Sequence, residues 1–309
     1  MSSDAHVPVL LGPVLTGLNI KREGIYVDGT FGRGGHSSAI LERLGTRGRL
    51  IAVDRDPAAI GALSEALRND PRFELIRGEI AELAKYVRER GLGRKVDGLL
   101  LDVGVSSPQL GNPSRGFSFL HDGPLDMRMD PDSGITAAEW LKSVEEEELK
   151  MVLRVYGEEA RAARIARAVV THRELTPITR TGQLADIVAS VVPAHSRKRH
   201  PATKTFQAIR IVINDELEQL RAALAQSIDI LRQGGRLCVI TFHSLEDRLV
   251  KRFIRDASRE AQQYRGMPSV PEAFRPTLKP VGKPIAATAE EIAVNARARS
   301  ARLRIAERL

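Results

Sequence analysis

The stretch Asp28-Gly29-Thr30-Phe31-Gly32-Arg33-Gly34-Gly35-His36 concentrates residue types that bring main chain close to a ligand. Glycine permits tight turns and positive φ, so backbone can approach a bound molecule with no side chain between. The stretch follows an apolar run, Ile25-Tyr26-Val27, and precedes residues 37–44, which have helical composition. In a doubly wound sheet such a turn lies at the carboxyl edge of the first strand, where nucleotides bind. Asp54 closes the next apolar run, nineteen residues after Gly35. A carboxylate placed there accepts hydrogen bonds from ribose hydroxyls. The turn lacks the G-x-G-x-x-G order of a dinucleotide fingerprint, and the chain has no G-x-x-x-x-G-K-[ST] phosphate loop. The expected ligand therefore carries a ribose and no polyphosphate. Asp28 suits a positive or amino-bearing ligand and would repel pyrophosphate. S-adenosylmethionine, with a ribose, a sulfonium and an amino acid tail, meets these conditions. Taken singly, Asp28 and Asp54 also suit turn or helix-cap chemistry.

These residues need a scaffold, and the first third of the chain supplies one. Ile25-Tyr26-Val27 ends at Asp28, Leu50-Ile51-Ala52-Val53 at Asp54, and residues 96–101 at Asp102, with Phe73-Glu74-Leu75-Ile76 as a further run. Short apolar runs alternating with helical segments (37–44 and 57–67) predict buried parallel strands. The fold class is α/β: a Rossmann-like parallel sheet with helices on both faces. Residues 113–201 show no convincing strand. Thr136-Ala137-Ala138-Glu139 fits a capping box, and 145–156, 158–172 and 181–192 read as helices. A connection that long is a domain rather than a crossover. The expected division is an α/β domain from 1–112 and 203–309, interrupted by an all-helical insertion at 113–202 that recognises substrate. Beyond it, 203–231 reads as mostly helical and stops at Gly234-Gly235, 236–242 as a strand and 248–259 as a helix. Residues 264–284 read as a long irregular loop.

Composition narrows the class. The 309 residues carry a formal net charge of +8, which suits a polyanionic partner. The single cysteine, Cys238, sits inside Leu237-Cys238-Val239-Ile240. It forms no internal disulfide and supports no structural zinc site, so no metal is expected. Buried mid-strand, it also argues against carbon-5 methylation, which uses a cysteine nucleophile. No apolar run approaches a membrane span and no signal peptide is visible, so the expectation is a cytoplasmic protein without membrane association.

Longer motifs make the reading specific. Asp102-Val103-Gly104-Val105-Ser106-Ser107-Pro108-Gln109-Leu110 leads into Arg115-Gly116-Phe117-Ser118-Phe119 and Gly123-Pro124-Leu125-Asp126-Met127-Arg128-Met129-Asp130. His200-Pro201-Ala202-Thr203-Lys204-Thr205-Phe206-Gln207-Ala208-Ile209-Arg210, Asn214-Asp215-Glu216-Leu217 and Phe242-His243-Ser244-Leu245-Glu246-Asp247-Arg248 follow. Together they closely resemble the RsmH (MraW) family of bacterial small-subunit ribosomal RNA methyltransferases, over nearly the whole chain. The resemblance implies S-adenosylmethionine-dependent methylation of N4 of a cytidine in 16S ribosomal RNA near the decoding centre. It implies that Gly34, Gly35 and His36 line the cofactor, that Asp54 binds its ribose, and that Asp102 and Gln109 complete the pocket. A further contact falls on Ile80, where many relatives carry Phe; here an aliphatic contact replaces an aromatic ring.

Cytosine N4 is an amine whose lone pair is delocalised into the ring. Alignment with the methyl donor and acceptors near the amino protons would promote the transfer. The segment Ser106-Ser107-Pro108-Gln109, with Asp102, is expected to position the amino group, so Asp102 and Ser107 are catalytic candidates and His243 a secondary one. Whether Asp102 or water takes the proton is left open. Arg197, Lys198 and Arg199, within a basic run at 195–200, and the C-terminal series Arg297, Arg299, Arg302, Arg304 and Arg308 are candidate phosphate contacts. Phe117, Phe119 and Trp140 are candidates for base stacking, with core packing the favoured reading of Trp140. The partner is 16S ribosomal RNA or the small ribosomal subunit, and a homodimer is left open. A DNA amino-methyltransferase, a non-catalytic RNA-binding assembly factor and a dehydrogenase are the competing readings.

Overall fold

The computed structural model describes residues 8–192, 200–260, 264 and 271–309. The chain forms two compact units. One comprises residues up to Gly104 together with Leu217–Leu309, and the other is Val105–Glu216.

The first unit begins with α1 (Leu11–Leu18), β1 (Ile25–Asp28), α2 (Gly35–Leu41), β2 (Arg49–Asp54), α3 (Pro57–Gly61), α4 (Glu65–Arg68), β3 (Phe73–Arg77), α5 (Leu83–Glu89) and β4 (Val96–Asp102). The helical unit contributes α6 (Ser107–Gly111), α7 (Ala137–Ser143), α8 (Glu146–Val155), α9 (Ala162–Leu175), α10 (Thr181–Val191) and α11 (Thr203–Ile213). The chain then follows α12 (Glu216–Ile230), β5 (Leu231–Thr241), α13 (Ser244–Ala257), β6 (Leu278–Pro280), β7 (Ile285–Ala286), α14 (Ala289–Val294) and β8 (Arg302–Arg308).

In the first unit the strands run in the order β3-β2-β1-β4-β5-β8-β6, with β7 also on β8. β1 to β5 are parallel, and β8 is antiparallel to β5, β6 and β7. This is the doubly wound, Rossmann-like arrangement that the alternating runs predict. Its two faces follow from strand alternation. Val27, Leu99, Leu101, Leu237 and Val239 join one cluster with Leu83 and Val87 of α5, Leu220 and Leu224 of α12, and Val250 and Ile254 of α13. Tyr26, Leu100, Cys238 and Ile240 join the other with Val14 and Leu18 of α1 and Ile40 and Leu41 of α2. The strands read as continuous apolar runs because both faces are covered.

Several expectations are corrected. Residues 57–67 form two short helices rather than one, because Ser64 restarts the chain: its Oγ accepts from Leu67 N–H at 3.3 Å, while Asp56 caps α3. β5 begins at Leu231, before the glycine pair. Its register jumps from Val96↔Leu231 to Gly98↔Arg236, a bulge at which Gly234 takes φ +74°. The expected loop at 264–284 contains β6, and the arginine-rich end forms β8.

In the helical unit, Leu141, Leu149, Leu153, Ile165, Val169, Leu184, Val188, Phe206 and Ile209 form one core. The unit extends to Glu216 rather than ending at 202, because α11 contributes Phe206, Ala208 and Ile209 to that core and packs against α7 and α8. Asn214, buried just beyond α11, donates from Nδ2 to the Met127 carbonyl at 2.7 Å and to the Arg210 carbonyl at 2.9 Å. Its Oδ1 accepts from Met129 N–H at 2.7 Å. Arg210 grips Glu216 through two bonds of 2.8 and 2.9 Å. Gly116, at φ +72°, lies so close to Pro124 O and Asp126 N that a β-carbon would collide with both. The motifs around 115–130 and 204–216 are thus internal fastenings of this unit.

Candidate active site

The glycine-rich turn is laid across the ends of three strands. Gly29 N–H donates to the Leu100 carbonyl of β4 and Phe31 N–H to the Val53 carbonyl of β2, both at 2.9 Å. Asp28 is almost fully buried. Its Oδ1 accepts from Thr30 N–H at 3.1 Å, and its Oδ2 accepts from the Ser37 hydroxyl of α2 at 2.7 Å. Of the two readings open to Asp28, turn and helix chemistry is the one observed. Gly34 adopts φ +74°, and a β-carbon there would strike the Phe31 ring. A β-carbon on Gly35 would run into Pro8. These glycines let the turn close against Phe31 and Pro8, which a larger residue would not allow.

The registers Asp28↔Ala52 and Asp28↔Leu100 set Asp54 and Asp102 two residues beyond Asp28, on the same face of the sheet. Asp54 ties down the turn: Oδ2 accepts from Gly32 N–H at 2.7 Å and Oδ1 from Asp56 N–H at 2.9 Å. Burial raises its pKa above the usual carboxylate range, and those two bonds oppose the rise. Each oxygen keeps a lone pair for a further donor.

Asp102 has a different environment. Its main-chain N–H donates to Thr30 Oγ1 at 2.7 Å, which locks the end of β4 to the turn. Its Oδ1 is buried with no hydrogen-bond partner among the described residues. Its Oδ2 lies 3.7 Å from His36 Nδ1. Burial, reinforced by the charges of Asp28 and Glu246, pushes its pKa up to about 8. His36 is itself buried at the start of α2, with Nε2 3.1 Å from the Val9 carbonyl. That contact assigns the proton to Nε2 and turns Nδ1 toward Asp102. Gly34, Gly35, His36, Asp54 and Asp102 are therefore brought together at one edge of the sheet.

The other expected residues stand on other segments. Ile80 begins a single 3₁₀ turn after β3, half-buried against the cluster of α5 and α12. His243 precedes α13, with Nε2 3.0 Å from Glu246 Oε1 but without the alignment of a hydrogen bond; its Nδ1 is also unpartnered among the described residues. Glu246 is buried and accepts from the Phe242 and His243 N–H groups at 2.8 and 3.2 Å. Ser107 opens α6 in the helical unit. Gln109 is buried there, with Oε1 accepting from Ser106 N–H at 2.8 Å. Ser106 occupies the N-cap position of α6. Arg197, Lys198 and Arg199 lie outside the described residues.

The stacking candidates are mostly accounted for within the helical unit. Phe117 and Trp140 are core residues. Phe119 is half-buried, stacked on His200 at 4.3 Å and edge-on to Phe206 at 5.0 Å. The C-terminal arginines are in part structural. Arg304 binds Asp247 through two bonds of 2.7 and 2.9 Å, and Arg308 donates to the Ile228 and Thr277 carbonyls. Thr30 and Ser37 are positioning residues that sequence reasoning passed over. Their signal is a hydroxyl two and nine residues after an acid that closes a strand.

Matches to known proteins cover the whole of this architecture. Residues 3–309 fit the model of a family described as the MraW methylase family. The chain is 55% identical over 312 residues to a ribosomal RNA small subunit methyltransferase H of Shewanella amazonensis, spanning 100% of this chain and 99% of that protein. Proteins of the same name from Nitrosococcus oceani, 54% identical over 305 residues, and Coxiella burnetii, 55% identical over 306 residues, match nearly end to end. With full-length agreement on both counts, the chain belongs to the MraW methylase family.

Proposed function

We propose that this methylase transfers a methyl group from S-adenosylmethionine to N4 of a cytidine in 16S ribosomal RNA near the decoding centre. One observation carries the site assignment: the cluster of Asp54, Asp102 and His36 around the glycine turn, in which Asp102 Oδ1 is a buried acceptor with no partner among the described residues. Such an atom costs stability unless a ligand satisfies it. The near full-length identity to proteins named for small-subunit ribosomal RNA methylation supports the substrate.

The residues fit a cationic nucleoside. Asp54 has spare lone pairs for the ribose hydroxyls while it holds the turn. Gly34 and Gly35 shape the turn beside this cluster, and Asp102 offers a donor-seeking oxygen. Ile80, on the next strand end, supplies an aliphatic contact, and Gln109 and Ser107 follow β4 along the chain. S-adenosylmethionine supplies an electrophilic methyl group on a sulfonium. Asp102, with a pKa of about 8, holds a proton near neutrality, and its Oδ2 lies 3.7 Å from His36 Nδ1. A positive charge beside Asp102 favours its carboxylate, so the residue releases that proton on binding. The carboxylate can then accept from an amino group of the bound molecules, drawing electron density toward the reacting nitrogen. Cys238, buried in β5 with its pKa pushed up to about 12, has no part as a nucleophile. The helical unit is the candidate for recognising the RNA. Ribosomal RNA as substrate places the reaction in the cytoplasm, and no helix of the described residues is long and apolar enough to cross a membrane.

The test is methyl transfer from radiolabelled S-adenosylmethionine to small ribosomal subunits from cells lacking the protein, with nucleoside analysis and an Asp102→Ala control. Label recovered as N4-methylcytidine, and lost in the control, supports the assignment. Cofactor binding without label, or label on another nucleoside, refutes the substrate.

A further inference from the structure

One face of α9 remains unclaimed by the core of the helical unit. Arg164, Arg167, Ala168, Thr171, His172 and Leu175 line an open cleft of about 440 Å³, closed on one side by Val191 of α10. The spacing is three, one, three, one and three residues, the signature of a single helical face. The opposite face carries Ile165, Ala166 and Val169 into the core. What faces outward is therefore two guanidiniums, an imidazole and a hydroxyl over an apolar floor, with no carboxylate among the described lining residues.

Leu175 is 82% exposed in the last turn of the helix and lines the cleft with Ala168 and Val191. Arg164 has no carboxylate partner among the described residues. The Arg167 side chain is 79% exposed, and its only described ion pair is a long one, 3.7 Å to Glu146 at the rim. Arg173 of the same helix shows the contrast. It turns away to cap the end of α7, donating to the Leu141 and Val144 carbonyls at 2.6 Å each, and does not line the cleft. The arginines of the cleft face therefore have no such structural employment.

We infer that this face of α9 binds a single-stranded segment of the substrate RNA, with Arg164 and Arg167 on its phosphates and the Leu175–Val191 floor under a ribose or base. The inference rests on the proposed RNA substrate and names the surface that engages it. Charge complementarity selects the occupant: a phosphodiester chain alternates anionic groups with flat apolar ones, matching cations beside an apolar floor. An acidic peptide would leave the floor uncovered.

The test uses the full chain and protein-free 16S ribosomal RNA, with binding measured across a series of salt concentrations. Arg164→Glu/Arg167→Glu is expected to weaken binding about tenfold or more and to make the salt slope shallower by about 1–2, the number of phosphates released. Arg164→Lys/Arg167→Lys should restore most of both. Arg221→Glu, an equal kind of charge change on α12, should leave the slope nearly unchanged. In methyl transfer the double reversal should raise KM and leave kcat, since these side chains lie outside the cluster of Asp54 and Asp102. Thermal unfolding should not move, because the core is untouched. A double reversal that binds RNA with the wild-type slope overturns the inference, as does an equal effect from Arg221→Glu. Loss of binding to anionic lipid vesicles with RNA binding intact would overturn it in favour of a membrane surface. If wild-type protein neither binds nor methylates the RNA, the substrate reading itself fails. That outcome is separate, because it shows before any variant is made.

Discussion

Replacing Asp102 by Asn should stabilise the protein, and increasingly so as pH rises. The carboxyl has an ordinary value of 3.8 and is pushed up to about 8 in the fold, first by burial and then by the charges of Asp28 and Glu246. Below the unfolded value the acid is protonated in both states and costs nothing. Between the two values the unfolded chain gives up the proton and the folded chain keeps it, so folding becomes less favourable with each pH step. The stability present at low pH is lost as pH rises through the folded value, and above it the loss is complete. At about 1.4 kcal/mol per unit, moving from about pH 5 to about pH 8.5 removes roughly 4 kcal/mol. The side chain is 24% accessible, and water there relaxes part of this, leaving an expected difference of about 2–4 kcal/mol. Asn keeps the shape of the side chain and cannot ionise. The assay is chemical denaturation of wild type and Asp102→Asn without cofactor at the two pH values. The variant should gain about 1–2 kcal/mol at the lower and about 2–4 kcal/mol more at the higher. An equal difference at both would refute the reasoning, because it would place the burial penalty elsewhere than on a proton.

Two other perturbations act on hydrogen bonds described above, and a third on the basic run at 195–200. Asp54→Ala orphans the N–H groups of Gly32 and Asp56, which should cost about 1–3 kcal/mol of stability and loosen the turn; calorimetric titration should show cofactor affinity at least tenfold weaker. Asn214→Ala removes three hydrogen bonds inside the helical unit and should lower its stability by about 2–4 kcal/mol, seen as an earlier unfolding transition with cofactor affinity unchanged. Charge reversal at Arg197 and Arg199 should weaken RNA binding and flatten its salt dependence; an unaltered slope removes that run from the interface.

The parts of this fold that sequence reveals are those whose burial is uniform. β1, β2 and β4 each carry a continuous apolar run because both faces of the sheet are covered, and each ends at an acid that marks the carboxyl edge. The glycine turn and Asp54 are legible for the same reason, since their positions are fixed by strand ends. β8 was hidden because its side chains alternate. Arg302, Arg304 and Arg308 read as a basic tail, yet Leu303 and Ala306 are fully buried, and the intervening charges are spent on partners such as Asp247. The period of two in Arg302-Leu303-Arg304-Ile305 was the available signal. The end of the helical unit was misplaced because α11 is amphipathic either way, and only its packing decides which core receives Phe206 and Ile209. Gln109 shows a different limit: its bond to Ser106 N–H depends on a backbone turn that composition does not specify.

The sheet order has a bearing on how the protein is made. β8 follows every other strand in the chain, yet it lies between β5 and β6 and holds β7 as well. Until it is synthesised, the row Leu237-Cys238-Val239-Ile240 presents an open strand edge in its most apolar stretch. Such an edge is a template for pairing with another chain. The helical unit has all its own core residues well before that point. A nascent chain therefore carries one finished unit while the other waits, its sheet open at β5, for the last strand to slide into the gap. Mutations that slow the docking of β8, such as loss of the Arg304–Asp247 clasp, would lengthen that wait and be felt as aggregation during synthesis even where the finished fold tolerates them.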